Sequence, residues 1–271
     1  MSNVGFRFAD TNQQVPSEGR QAMFMAKLPK LMDTLERIYA RAQHTKEAID
    51  DVMFVLGIQC IDEFREILVL CENGFGIGGL KVLRCLYERA VTMQYLAKYP
   101  ERVNDFIDYN AVNLGKFYKH ADREFGLQNR VPPERAAEIN KEYKDALDAF
   151  RHRPWSGLNT LDMAEKAVAE SEDKENSLYG LYGLCFFRPT IHIHTTALSF
   201  TDWIEVKNNT LRIKKDAQDA IVWQTLLSAH SVILHVLKIQ DDYFNLNVDD
   251  TLVNDFLEIW SRNSATTAAS A

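Results

Sequence analysis

Apolar residues recur at three- and four-residue spacing through most of this chain, and prolines, glycines and Asn-Gly cut that pattern into pieces of helical length. A stripe with this period follows the 3.6-residue turn of an α-helix and does not fit the two-residue alternation of a strand. The chain is therefore constrained to bury one face of many helices against each other. From Ser17, the residues Met23, Leu28, Leu31, Leu35 and Ile38 make a first stripe. Ile49, Val52, Leu56, Cys60, Phe64 and Leu68 make a second, with Thr45 placed to cap it and Asn73-Gly74 to end it.

Gly74 to Gly79 reads as a helix-helix turn with close backbone packing, because it follows a helix and lacks both GxGxxG spacing and a Walker Lys-Ser/Thr. The next helix runs from Leu80 to about Tyr99 and stops at Pro100. Another is expected from about Glu101 to Phe125, and Pro132-Pro133 opens one to about Phe150. A short helix begins near Asn159-Thr160, and the acidic run Ser171 to Asn176 reads as an exposed loop. A helix through Leu178, Leu181, Tyr182, Cys185 and Phe186 follows. Pro189 is expected to start a new one that takes in His192, Leu198 and Phe200, which leaves Arg188 at the junction.

Around Asn208-Asn209 the segment Trp203 to Ile213 alternates apolar and polar residues, the pattern of a hairpin. Asp216 caps a long helix to about Gln240, and Asp249-Asp250 precede a last one ending near Trp260. The expected fold is all-α, a multi-helix bundle with at most one small β-hairpin near residues 203–213. Residues 1–18 are expected as a flexible arm, 19–263 as one helical domain and 264–271 as a disordered tail.

A chain of 271 residues that is 46% hydrophobic and 25% charged has ample material for a packed core. Its net charge of -7 disfavours general attraction to a phosphate backbone, so no DNA binding is expected. Cys60, Cys71, Cys85 and Cys185 lie in apolar helical patterns without zinc-ligand spacing and read as buried free thiols. The first twenty residues are polar and carry no secretory signal pattern. No charge-free apolar stretch is expected to approach the roughly 18 residues of a spanning helix. The expectation is a cytoplasmic protein with no membrane contact.

The residues for HExxH, Walker, GxSxG or Glu-x-x-His chemistry are missing at the required spacing, so no metal or cofactor is expected. His230 and His235 lie about 140° apart round a helix and read as structural. Arg84 and Glu88 stand four apart on an otherwise apolar helix. They form an intrahelical ion pair worth a few tenths of a kcal/mol when exposed, or a partly buried pair with a further role.

Arg188-Pro189-Thr190-Ile191-His192-Ile193-His194 carries the most chemistry. Arginine grips phosphate or carboxylate with a bidentate fork, and histidine exchanges protons near neutral pH. On a helix the two histidines lie about 200° apart, so only one faces the cleft of Arg188. A strand would align them as a metal-binding pair, but Pro189 and the helical pattern oppose that. In a bland reading one histidine is a core residue and Arg188 a cap. Trp155, Tyr179 and Tyr182 are candidates to line a pocket beside the segment.

The run LRCLYERAVTMQYLAKYPE, then Trp155-Ser156-Gly157, then Tyr179-x-x-Tyr182 and a later histidine, resembles the bacterial helical family of domains of unknown function numbered 5677, over roughly residues 55 to 245. That resemblance implies a helical fold, an Arg84/Glu88 pair, and a functional histidine at either 192 or 194. The spacing Arg188-x5-His194 is also similar to the R-x(4–6)-H motif of HEPN-type ribonucleases, with Pro189 where a polar residue is usual. It implies metal-free RNA cleavage across a homodimer cleft, in a toxin or phage-defence setting.

Two functions follow as expectations. In the first, Arg84, Glu88, Arg188, His192 and His194 converge with Trp155 and Tyr182 on one polar cleft that cleaves RNA. In the second, the chain is a non-catalytic interaction or regulatory module that binds a partner protein, and Arg84 and Glu88 only stabilise the bundle. Convergence of the polar groups separates the two.

Overall fold

The computed structural model describes residues 18–43, 45–126, 130–170, 174–194, 196–207, 210–214 and 217–260. Three long helices, α2 (Ala48–Glu72), α3 (Gly76–Lys98) and α10 (Ala217–Phe244), pack together as the centre of the bundle. Their facing stripes supply Met53, Ile61, Phe64, Leu80, Leu83, Leu86, Val232, Ile233 and Val236, all 0% exposed. Each such side chain contributes about 1.5–3 kcal/mol relative to exposure. α1 (Glu18–Tyr39) and α11 (Thr251–Trp260) pair against the flank of this trio.

The turn between α2 and α3 forms as the glycines imply. Gly74 adopts φ +78°, and a Cβ on Gly79 would lie 2.9 Å from Thr225 Cγ2 and 3.1 Å from Cys71 Sγ. The absent side chain lets α3 approach α10 closely. The glycine run itself is helical, so α3 starts at Gly76 rather than Leu80. Thr45 does not cap α2. The Asp50 carboxylate takes the backbone N–H groups of Lys46 and Glu47, and this fixes the start at Ala48.

After the short 3-10 turn Pro100–Arg102, the helix expected over 101–125 is divided into α4 (Val103–Asp108) and α5 (Asn110–Phe125). The backbone tightens at Tyr109, whose carbonyl accepts from Val112 N–H only three residues on. α5 forms a hairpin with α6 (Pro133–Ala149), and α7 (Thr160–Ala167), capped by Asn159, lies on α3.

Among the described residues beyond α7 the chain makes turns up to Leu181, and then a five-residue π turn, Gly183–Phe187, runs directly into α8 (Arg188–Ile193). The expected new start at Pro189 is thus replaced by a continuous, locally widened helix. Proline has no N–H to donate and its ring crowds the preceding turn, and widening that turn accommodates both defects. α8 stops at Ile193, and α9 (Ala197–Phe200) is separate, so Leu198 and Phe200 do not share a helix with His192.

The hairpin is present as β1 (Ile204–Lys207) paired antiparallel with β2 (Thr210–Ile213), Ile204 opposite Ile213. Asn208-Asn209, Asp216, Ser171 to Asp173, the arm before Glu18 and the tail 264–271 lie outside the described residues. α10 continues past Gln240 to Phe244 and ends where Asn245 turns left-handed at φ +54°. Two sequence expectations are corrected here. Residues 220–237 contain no Asp, Glu, Lys or Arg, and Asp219–Phe244 is long and apolar enough to cross a membrane, although 67% of its apolar window is buried in the protein. Cys85 is exposed, whereas the other three cysteines are buried.

Candidate functional site

The π turn sets the position of Arg188 and His192. Arg188 N–H donates to Gly183 O, five residues back, and Thr190 Oγ1 to Phe186 O at 2.6 Å. Arg188 and His192, four apart on α8, consequently share one face and line a cavity of about 470 Å3. Its walls are Leu184, Phe187, Ile191 and Leu198, with Gly180 and Gly183 leaving room at one side and Thr201 and Asp202 closing another.

His192 Nε2 lies 3.0 Å from Asp202 Oδ2, and its side chain is 2% exposed. The bond to Asp202 assigns the proton to Nε2 and leaves Nδ1 as the nitrogen able to accept one. Burial holds the His192 pKa below its ordinary value against the opposing pull of Asp202, and the nearby cations Arg188 and Lys81 push the same way as burial. The imidazole is therefore neutral at pH 7. Burial also lowers the pKa of half-buried Arg188, partly offset by Asp202, and the guanidinium stays charged.

Asp202 was not among the candidates drawn from the sequence. It lies ten residues beyond His192, across α9 and the turn before β1, and only that fold returns it to α8.

His194 is placed elsewhere. Its backbone is extended, φ -95° and ψ 143°, just past the end of α8, and its side chain is exposed. It contributes to a neighbouring cavity of about 400 Å3 with Phe200, Trp203 and Ile204, to which His192 also contributes. Arg188 thus shares its cavity with His192, and the R-x5-H pair is not the one brought together.

Arg84 and Glu88 form the expected ion pair at 3.2 Å on α3, with side chains 21% and 39% exposed. The Arg84 guanidinium also lies 4.4 Å over the Phe186 ring, which stacks on Tyr182 with centroids 5.0 Å apart. These four side chains brace the π turn against α3 and do not line the Arg188 cavity. Trp155 stands apart, held edge-on by Tyr95 and Phe106 while its carbonyl accepts from Arg102 at 3.1 Å. It lines a separate cavity of about 860 Å3 with arginines 102, 135, 151 and 153 and as many carboxylates.

His230 and His235 are structural, as their spacing implies. Burial holds both pKa values down, and His230 Nδ1 accepts from Trp260 Nε1 at 3.1 Å. Among the described residues no three His, Cys, Asp or Glu side chains gather as a metal-binding group.

A family model described as a family of unknown function, DUF5677, matches residues 50–210, more than half of the chain. The chain belongs to DUF5677. The matched segment contains Arg84, Glu88, Trp155, Tyr182, Arg188, His192, His194 and Asp202, and it stops at the start of β2, short of residue 245. No curated protein and no solved structure matches the chain.

Proposed function

We propose that this DUF5677 protein cleaves RNA without a metal, using Arg188, His192 and Asp202. The observation that carries this reading is the single cavity shared by a charged guanidinium and a neutral imidazole whose outer nitrogen is fixed by a carboxylate. Arg188 holds the non-bridging oxygens of a phosphodiester. His192 Nδ1 takes the proton of the ribose 2′-hydroxyl as its oxygen bonds to phosphorus. The bond from phosphorus to the 5′-oxygen then breaks, that oxygen takes a proton from water, and the imidazolium, stabilised by Asp202, returns its own to solvent. The products are a 2′,3′-cyclic phosphate and a 5′-hydroxyl. The chemistry is HEPN-like, but the spacing is R-x3-H.

A second reading is favoured by one specific observation. The His192 side chain is almost wholly enclosed, as a residue that locks α8 to Asp202 would be. Under it the chain is a non-catalytic module that binds a partner protein, with Arg84 and Glu88 as braces.

Incubation of total RNA with the purified protein in EDTA separates the two. Cleavage is expected from the wild type and from His194→Ala, and is expected to be lost in Arg188→Ala and His192→Ala. No cleavage by the wild type, or equal cleavage by all four, overturns the ribonuclease and leaves the interaction module.

A further inference from the structure

We infer that the cavity of about 860 Å3 beside Trp155 is a groove that holds an extended peptide of mixed charge from a partner protein. It lies between α4, the start of α5, α6 and the connection that follows α6. The groove shares no lining residue with the Arg188 cavity, so peptide binding here does not depend on RNA cleavage there.

Its length selects an extended occupant. α6 contributes Arg135, Glu142, Asp145, Ala146 and Ala149 to one wall. Positions 135 to 149 span about 21 Å of helix at 1.5 Å per residue. A free amino acid or a single nucleotide fills only part of that length, whereas a peptide of about six residues covers it at 3.3 Å per residue. Ile107, Leu114, Phe150 and Trp155 give the groove apolar surface for side chains of such a peptide.

Its charges select a peptide that carries both signs. Arg102 is already committed to Asp105 at 3.0 Å and to the Trp155 carbonyl, and Arg135 to Glu138. The other charged side chains in the lining are exposed, and among the described residues they form no ion pair or hydrogen bond. Two of these are cations, Arg151 and Arg153, just past the C-terminal end of α6. Three are anions: Glu142 and Asp145, one to two turns before that end, and Asp108 at the end of α4. An extended peptide with an acidic residue two to four positions from a basic one meets both groups. A phosphodiester chain satisfies the two arginines but sets its other phosphates against three carboxylates, in a protein of net charge -7.

The backbone supports the same assignment. Helices commonly end in a left-handed residue, usually glycine, but here Arg151 and His152 adopt that conformation, at φ +49° and +58°. The chain accepts this strain where it sets two unpaired arginines at the mouth of the groove.

The test is fluorescence polarisation with a positional-scanning library of labelled peptides about seven residues long, read without RNA. The wild type is expected to select Asp or Glu two to four positions from Lys or Arg, with an apolar residue between them. An Arg151→Glu/Arg153→Glu variant alters two exposed side chains and is expected to keep its helical circular dichroism. It is expected to bind the selected peptides at least about tenfold more weakly and to prefer Lys or Arg where the wild type takes an acid. An Arg212→Glu/Lys214→Glu variant, with the same change of charge on and beside β2, is expected to select as the wild type does. Failure to bind any peptide at millimolar concentration, or identical selection by the wild type and the groove variant, overturns the inference. So does an oligouridylate that binds the wild type and not the groove variant, which would assign the groove to nucleic acid. Self-association of the wild type that the groove variant alone loses would assign it to a second copy and overturn it as well.

Discussion

Tyr87 Oη, fully buried in α3, donates a 2.7 Å hydrogen bond to the carbonyl of Leu178, and its ring meets those of Tyr182 and Phe186 edge-on or tilted. One phenol therefore ties the central bundle to the segment that enters the π turn. Tyr87→Phe keeps the ring and removes the donor, stranding a buried carbonyl. The variant is expected to lose about 1–2 kcal/mol in urea unfolding while remaining folded at 25 °C.

His230 and Glu63 drive stability in opposite directions over one pH window. Burial pushes the His230 imidazole down to about 4, so the unfolded chain binds a proton between pH 6.5 and 4 that the folded chain refuses. Its contribution, about 3 kcal/mol at full extent, is present above pH 6.5 and lost as pH falls toward 4. Burial raises Glu63 to about 7 despite its ion pair with Arg89, so there the folded chain keeps the proton longer and stability is lost as pH rises from 4.5 to 7. The difference in unfolding free energy between wild type and His230→Phe should grow with pH from 4 to 6.5. The same difference for Glu63→Gln should shrink from 4.5 to 7. Parallel pH profiles for wild type and either variant would remove that residue from the account.

Asp202→Asn leaves the cavity its shape and takes away the charge opposite His192. If His192 acts as the base, the rate of RNA cleavage should fall by about 10²–10⁴-fold. His194→Ala, altering an exposed side chain beyond the end of α8, should change it less than about threefold, an effect of the size expected for surface substitutions. Equal losses for both variants would contradict the placement of His192.

Gly183 borders the cavity, and a Cβ built there meets no heavy atom within 4 Å. Gly183→Leu should therefore fold and fill the space in front of Arg188. The expected result is an unchanged circular dichroism spectrum with cleavage abolished. Retained cleavage would place the reaction outside this cavity.

The helices were legible because their stripes are long and their ends are marked by Gly74, Pro100, Pro133 and Asn159, all local signals. The helical expectation at Pro189 failed because a proline can be absorbed by widening a turn, which no periodicity announces. Arg188 and His192 stood out by residue type. Asp202 did not, since its approach depends on α9 and the turn before β1 folding back, a relationship of tertiary structure. Trp155 was grouped with Arg188 on chemistry alone, and the aromatic contacts from Tyr95 and Phe106 hold it at another cavity.

The five-residue turn from Gly183 to Phe187 holds one residue more than an α-helical turn of the same rise. Removing a single residue there would leave an unbroken helix of ordinary pitch and nearly the same composition. It would also swing Arg188 and His192 together by about 100° round the axis. A shortened relative of this chain could keep both residues in its sequence and still present them to a different neighbour, so counting residues through this turn matters as much as matching them.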